Sequence, residues 1–244
     1  MKTLKIAVIA LILSFGISSA KVYADDTAVS GSASVDVMSN YVWRGFKLSN
    51  SYVIQPSVGI TYGDFGVNLW SNYDGDFNNQ GELTETDLTL NYTFSIDKIS
   101  LDAGYIYYGL EGIEDTQEIY LSAGFDTMLN PAITVYYDIE EGNGAFITAS
   151  IGHDLELAND ITLSLGASAS YNMDSDYSIG DYNDFHNGDL AAAIGIPLGT
   201  NVSVSPMIAY SFPLSDDAED AMKAVSDDGD KYILYGGVNL SLSF

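Results

Sequence analysis

The chain has 244 residues, no cysteine and a formal net charge of −26, from 34 acidic and 8 basic side chains. That imbalance excludes a nucleic-acid binder, which needs clustered Lys and Arg to meet phosphates. The missing cysteine excludes a disulfide scaffold, Fe–S clusters, thiol nucleophiles and Cys-ligated zinc.

In chain order, Lys2 and Lys5 precede an apolar run from Ile6 to Phe15, and small residues lead to Ala24. The run is too short to span a bilayer as a helix, so residues 1–24 read as a cleavable signal peptide, cut after Ala24 or, failing that, after Ala20. Residues 25–244 then form one domain, keeping Arg44, Lys47, Lys98, Lys223 and Lys231 as its cations.

Beyond residue 30 the pattern has period two. From Ile161 to Asn172 the odd positions are Ile, Leu, Leu, Ala, Ala and Tyr, and the even positions are Thr, Ser, Gly, Ser, Ser and Asn. Residues 86–96 and 232–244 alternate likewise. Such segments predict strands with one apolar and one polar face. They run longer than the five or six residues common in soluble sheets and match tilted transmembrane strands. Twelve are predicted: 31–45, 51–62, 65–73, 85–96, 98–109, 117–126, 131–140, 144–155, 160–172, 188–198, 201–213 and 231–244. The one stretch with helical character is 216–225, inside a loop.

The connections alternate in length. Gly63-Asp64, Asp97 and Gly199-Thr200 mark tight turns, whereas 74–84, 110–116, 173–187 and 214–230 are long; the first connection, 46–50, reads as brief. Short turns on the periplasmic side and long loops outside are the habit of outer-membrane barrels. With apolar faces outward, Tyr41, Trp43, Tyr73, Tyr107, Tyr137, Tyr171, Phe212 and Tyr232 fall near the long loops. Tyr62, Phe65, Phe94, Phe125 and Phe244 fall near the tight turns. Two such girdles, separated by roughly 25 Å at ~3.3 Å per residue and ~40° of tilt, suit the two faces of a bilayer. The hydrocarbon core offers backbone groups no water, so the sheet must close. The expectation is an all-β transmembrane antiparallel up-and-down β-barrel of about 12 strands with both ends periplasmic.

The segment SNYVWRGFKLSNSYVIQPSVGITYGDFGVNLWSNYD, residues 39–74, resembles the N-terminal signature of the TorF-type porin family (Gcw-type conserved outer-membrane proteins of proteobacteria). Ser39, Tyr41, Arg44, Gly45, Gln55, Pro56, Gly66, Trp70, Ser71 and Asn72 carry the likeness. The resemblance implies an outer-membrane location and a pore-forming role. The closing LSLSF, with Phe244 outward, is similar to the C-terminal signal read by barrel-assembly machinery.

Arg44 is the only arginine. Strand parity turns it inward with Asp36 and Asn40, either as a brace between walls or as a charge that filters solutes. Asp36, Glu85, Asp87, Asp102 and Asp138 share the inward parity and are its candidate partners. Asn68 and Trp70 also face inward, so these nine residues are the candidate pore lining. The acidic outer loops form either a solvated surface or a surface for divalent cations and lipopolysaccharide. His153 lies near a tight turn, the wrong end for a rim hydrolase, and His186 lies in a long loop with no serine fixed beside it and with Asp184 and Asp189 as weak metal-binding neighbours at most, so no catalytic residue, metal site or cofactor is expected. The expected function is passive diffusion of small polar solutes, mildly cation-selective. A closed structural or adhesive barrel is the alternative, and a hydrolase at the outer rim a remote third.

Overall fold

Alternation in the sequence becomes alternation of faces in the structure, a computed structural model that describes residues 29–226 and 228–244. The signal-peptide expectation for 1–24 lies outside the described residues. Twelve antiparallel strands close into one barrel: β1 (Val29–Met38), β4 (Val53–Tyr62), β5 (Phe65–Asp74), β6 (Glu82–Ile96), β7 (Ile99–Leu110), β8 (Thr116–Phe125), β9 (Ala132–Asp138), β10 (Ala145–Glu156), β11 (Thr162–Met173), β12 (Asn183–Pro197), β13 (Val202–Pro213) and β14 (Ile233–Ser243). Each strand pairs with its sequence neighbours. The seam between β1 and β14 runs in register from Ser32↔Ser243 to Met38↔Gly237, so no edge is left open. A separate pair, β2 (Val42–Trp43) and β3 (Phe46–Lys47), lies between β1 and β4 in the chain, and one α-helix among the described residues, α1 (Asp216–Val225), precedes β14.

The large apolar side chains are on the outside. Leu165, Leu190, Ile208, Leu234 and Leu240 are exposed, while Ser203, Ser205, Ser211, Asn172 and Asn239 are buried inside. This inversion of a soluble protein is stable only with hydrocarbon around the wall. Tyr62, Phe65, Phe94, Phe125 and Phe244 are exposed at the tight-turn end, and Tyr137 and Tyr232 at the other. The tight turns follow from backbone preference. Gly63 (φ 58°) and Asp97 (φ 52°) take the left-handed conformations that a two-residue hairpin requires.

Two stretches depart from the predicted pattern. The first strand stops at Met38 instead of continuing to residue 45, and the first connection is the long segment 39–52 rather than a brief 46–50. Tyr41 and Trp43 therefore do not join the outer girdle: Tyr41 is buried, and Trp43 packs on Tyr108 in the interior. Alternation alone cannot tell a lipid-facing ring from one that fills a lumen. The second departure is β12, which begins at Asn183 rather than 188. A bulge sets Ala169↔Gly188 beside Tyr171↔Phe185, so His186 and Asn187 both turn inward and the period-two signal is lost there.

Candidate functional site

The segment 39–52 folds into the barrel. Val42 pairs with Lys47 and Trp43 with Phe46, around a tip made of Arg44 (φ 48°) and Gly45 (φ 81°). Two consecutive positive φ values are those of a type I′ hairpin turn. The base is fastened by Leu48 N–H to the Tyr41 carbonyl (2.8 Å), Tyr41 N–H to Ser49 Oγ (2.6 Å) and Asn40 Nδ2 to the Ser49 carbonyl (3.1 Å). The hairpin is a sheet of its own and adds nothing to the ladder of the wall. Side chains hold it in place.

The tip crosses the lumen. Arg44 donates through both terminal nitrogens to Glu118 on β8, at 2.8 and 2.7 Å. Around the barrel β8 is five strands from β1 one way and seven the other, close to diametrically opposite. The Tyr108 hydroxyl donates to the same carboxylate at 2.8 Å. The guanidinium carbon sits 4.4 Å from the Trp43 ring centroid, 4.8 Å from Tyr136 and 4.6 Å from Phe146. A buried charge without such partners would carry a desolvation cost of several kcal/mol. Here a bidentate carboxylate and three ring faces offset it.

His186 holds the tip from another wall. Its Nε2 lies 2.7 Å from the Arg44 carbonyl, which can only accept, so Nε2 carries the proton and Nδ1 accepts from the Tyr182 hydroxyl. Phe46 and Phe146 meet the same ring edge-on, at centroid distances of 5.2 and 5.8 Å. His186 is thus a buried support of the hairpin and not the loop histidine expected from sequence. Its side chain is fully buried and turned to the hairpin, away from the lipid-facing side where lipid hydrolysis would need it.

The other candidate residues distribute as follows. Asp36 accepts from Asn239 (2.9 Å), and Asp102 accepts from Asn91, Thr93 and Tyr120 (2.8, 2.6 and 2.7 Å). Asn68 donates to Ser57 (2.9 Å), and Trp70 lies under Tyr41 at 5.6 Å between centroids. Glu85 and Asp87 stand beside each other, with Tyr41 close to Glu85. Among the described residues Asp87 keeps one buried oxygen without a partner. Asp138 accepts from Thr116 (2.7 Å) and from the Glu140 and Gly142 amides (both 2.9 Å), so it shapes the loop after β9. Asn40 belongs to the hairpin base. None of the five acids expected to pair with Arg44 does so; Glu118 does. Glu118 and Asp189 are the inward acids that sequence reading passed over, although Glu118 shares the parity of the inward Tyr120.

The last long connection covers the hairpin. Ser215 caps α1 by accepting from Ala218 N–H (3.1 Å), and Asp216, Asp217 and Glu219 in its first turn oppose Lys223 in its last. Ala218 and Met222 are fully buried, and Met222 packs in the same apolar cluster as Tyr41, Val42, Phe46 and Ile179. Lys47 of the hairpin donates to Asp228 at 2.5 Å and lies 3.8 Å from Asp230. Lys47 and Ser226 hold Asp228 below its usual carboxylate range. Lys223 and Lys231, each 2.5 Å from Glu219, draw that carboxyl down to about 2.

No protein-family model and no curated protein matches the chain. Solved structures do. The NanC porin superposes with a TM-score of 0.55 at 12% identity, covering 89% of this chain and 99% of that one. An outer-membrane channel from Pseudomonas putida F1 follows at 0.51 and 9% identity, covering 91% and 97%. The chain has the fold of a porin-type barrel. At such low identity the likeness extends to architecture alone; the in-folded hairpin and its Glu118 seat are read from this chain's own residues.

Proposed function

We propose that this chain is an outer-membrane channel for passive diffusion of small polar solutes, with a mild preference for cations. The carrying observation is the charge of the interior. Asp36, Glu85, Asp87, Asp102, Glu118 and Asp189 face inward, and Arg44 is the one buried Arg or Lys among the described residues. Arg44 is already matched by Glu118, so none of the other five acids has a basic partner among the described residues. A low-dielectric wall of one sign concentrates the opposite ion and repels its own. No catalytic role is assigned, because His186 is committed to the Arg44 carbonyl and Tyr182.

Kinship with the TorF-type porins belongs to the same proposal. In its favour, the signature residues converge on the hairpin and the wall beneath it. Tyr41 packs on Trp70, Arg44 and Gly45 form the tip, and Gln55 donates to Asn72 at 2.9 Å below.

The second reading is a closed structural or adhesive barrel, with acidic loops facing lipopolysaccharide and divalent cations. It is favoured by the hairpin and α1, which together occupy the outer part of the lumen. Planar-bilayer recordings in a KCl gradient separate the two. A channel gives unitary current with a reversal potential displaced toward that of K⁺; a closed barrel gives no current above background.

A further inference from the structure

The Arg44 seat has the composition of a ligand site whose occupant is part of the chain. Its carboxylate grips the guanidinium edge-on through two nitrogens, the Tyr108 hydroxyl orients that carboxylate, and Tyr136 and Phe146 offer ring faces from the adjoining strands. This combination of a planar fork and aromatic faces fits a guanidinium better than an ammonium, a point charge with a tighter hydration shell. Glu118, Tyr108, Tyr136 and Phe146 all belong to the wall, whereas Arg44 belongs to the hairpin.

The occupant is held under tension. Arg44 is in the left-handed region at φ 48°, a conformation that crowds the Cβ of any residue but glycine. The hairpin shares no ladder with the wall, so withdrawal of the tip leaves the twelve-strand ladder intact and breaks side-chain contacts alone: the His186 bond to the Arg44 carbonyl, the Lys47–Asp228 pair and the packing of Phe46.

We propose that the seat binds guanidinium-bearing solutes, which exchange with Arg44 for Glu118 and release the hairpin from the lumen. This rests on the channel reading and names its solute class: small organic cations carrying a guanidinium group. Arg44 is the internal competitor that keeps the seat occupied between encounters.

The test follows tryptophan emission of the full chain in detergent micelles. The chain's two tryptophans both report on the hairpin, Trp43 from within it and Trp70 from beneath Tyr41. Millimolar methylguanidinium is expected to shift the emission saturably. Methylammonium should need about tenfold more, because it cannot bridge both carboxylate oxygens at once, and K⁺ at equal ionic strength should do nothing. Glu118→Gln is expected to abolish the saturable response. Should that variant not fold, Arg44→Gly vacates the seat, and methylguanidinium should then raise its melting temperature saturably where methylammonium does not. An emission insensitive to methylguanidinium, or equally sensitive to all three cations, overturns the proposal. Bilayer recordings distinguish it from the reading beneath it. A guanidinium response without current upholds the seat and ends the channel; current without a guanidinium response does the reverse.

Discussion

Arg44 and Glu118 are 74 positions apart in sequence, yet the guanidinium meets both carboxylate oxygens at 2.8 and 2.7 Å across the barrel. The pair joins an in-folded hairpin to the wall nearly opposite its root. It fastens the tip at one of two points inside the lumen, the other being the His186 ring on the Arg44 carbonyl. Both side chains are buried, at 4% and 2% exposure, so removing either one leaves a buried charge without its counter-ion: Glu118 would keep only the Tyr108 hydroxyl, and Arg44 only the ring faces around it.

Single substitutions at the pair should therefore be costly, and the double substitution less so than their sum. Arg44→Ala and Glu118→Gln are each expected to destabilise the folded barrel by about 3–5 kcal/mol, the range for breaking a buried ion pair from one side. The double variant should recover a large part of that, since no orphaned charge remains. Urea unfolding in detergent measures all four corners of the cycle. Strict additivity would show that the two side chains do not depend on each other.

Gly45 is the weak point of the tip. Its φ of 81° suits glycine, and a Cβ added there would stand 2.8 Å from the Asn187 Cβ. Gly45→Ala should unseat the hairpin at a cost of about 1–2 kcal/mol from backbone conformation, plus the contact with Asn187. Expected readouts are a lower melting temperature and larger unitary conductance than the parent's. A variant with unchanged conductance would mean that the tip does not obstruct the path.

The barrel was legible because its signal repeats: strand after strand alternates, and turn lengths alternate with them. The hairpin was not. Residues 41–43 continue the alternation of β1 in letters, yet Tyr41 and Trp43 satisfy their burial inside as well as outside. No local pattern separates aromatic rings packed in a lumen from rings placed at a lipid boundary. Arg44 was legible as an inward cation, while its partner was sought among Asp36, Glu85, Asp87, Asp102 and Asp138. Glu118 lies on the far wall at a height set by barrel closure and hairpin length, and strand parity carries neither quantity. His186 was hidden by the bulge, where one extra residue shifts the phase and erases the strand start.

The cover over the hairpin should loosen in acid. Asp228 is depressed by Lys47, and Glu219 is drawn down to about 2 by Lys223 and Lys231. A carboxylate whose folded-state pKa lies below its unfolded value contributes stability above the unfolded value, near 4. That contribution is lost as pH falls through the folded value. The cover should therefore hold unchanged from neutral pH to about 5, then weaken steadily toward 2. These pairs face solvent, so high salt should weaken them at neutral pH as well. Limited proteolysis of the 214–232 segment at graded pH and ionic strength reads both effects, and Lys47→Met should flatten the part due to Asp228.

Lipid contact of the outer face can be tested one residue at a time. Leu165 and Ser164 are neighbours on β11, pointing to opposite sides; Leu165 is exposed on the exterior and pairs with Ala192 on β12. If hydrocarbon surrounds the wall, Leu165→Arg should cost about 2–4 kcal/mol when folding into vesicles, because an arginine near the bilayer midplane has to be drawn toward the headgroups. Ser164→Arg places the same charge in an interior rich in carboxylates and should cost less. The measurement is urea-dependent folding into phosphatidylcholine vesicles, with both variants compared against the parent. Equal tolerance at the two positions would mean that the outer face meets water, and the membrane-spanning reading would fall with it.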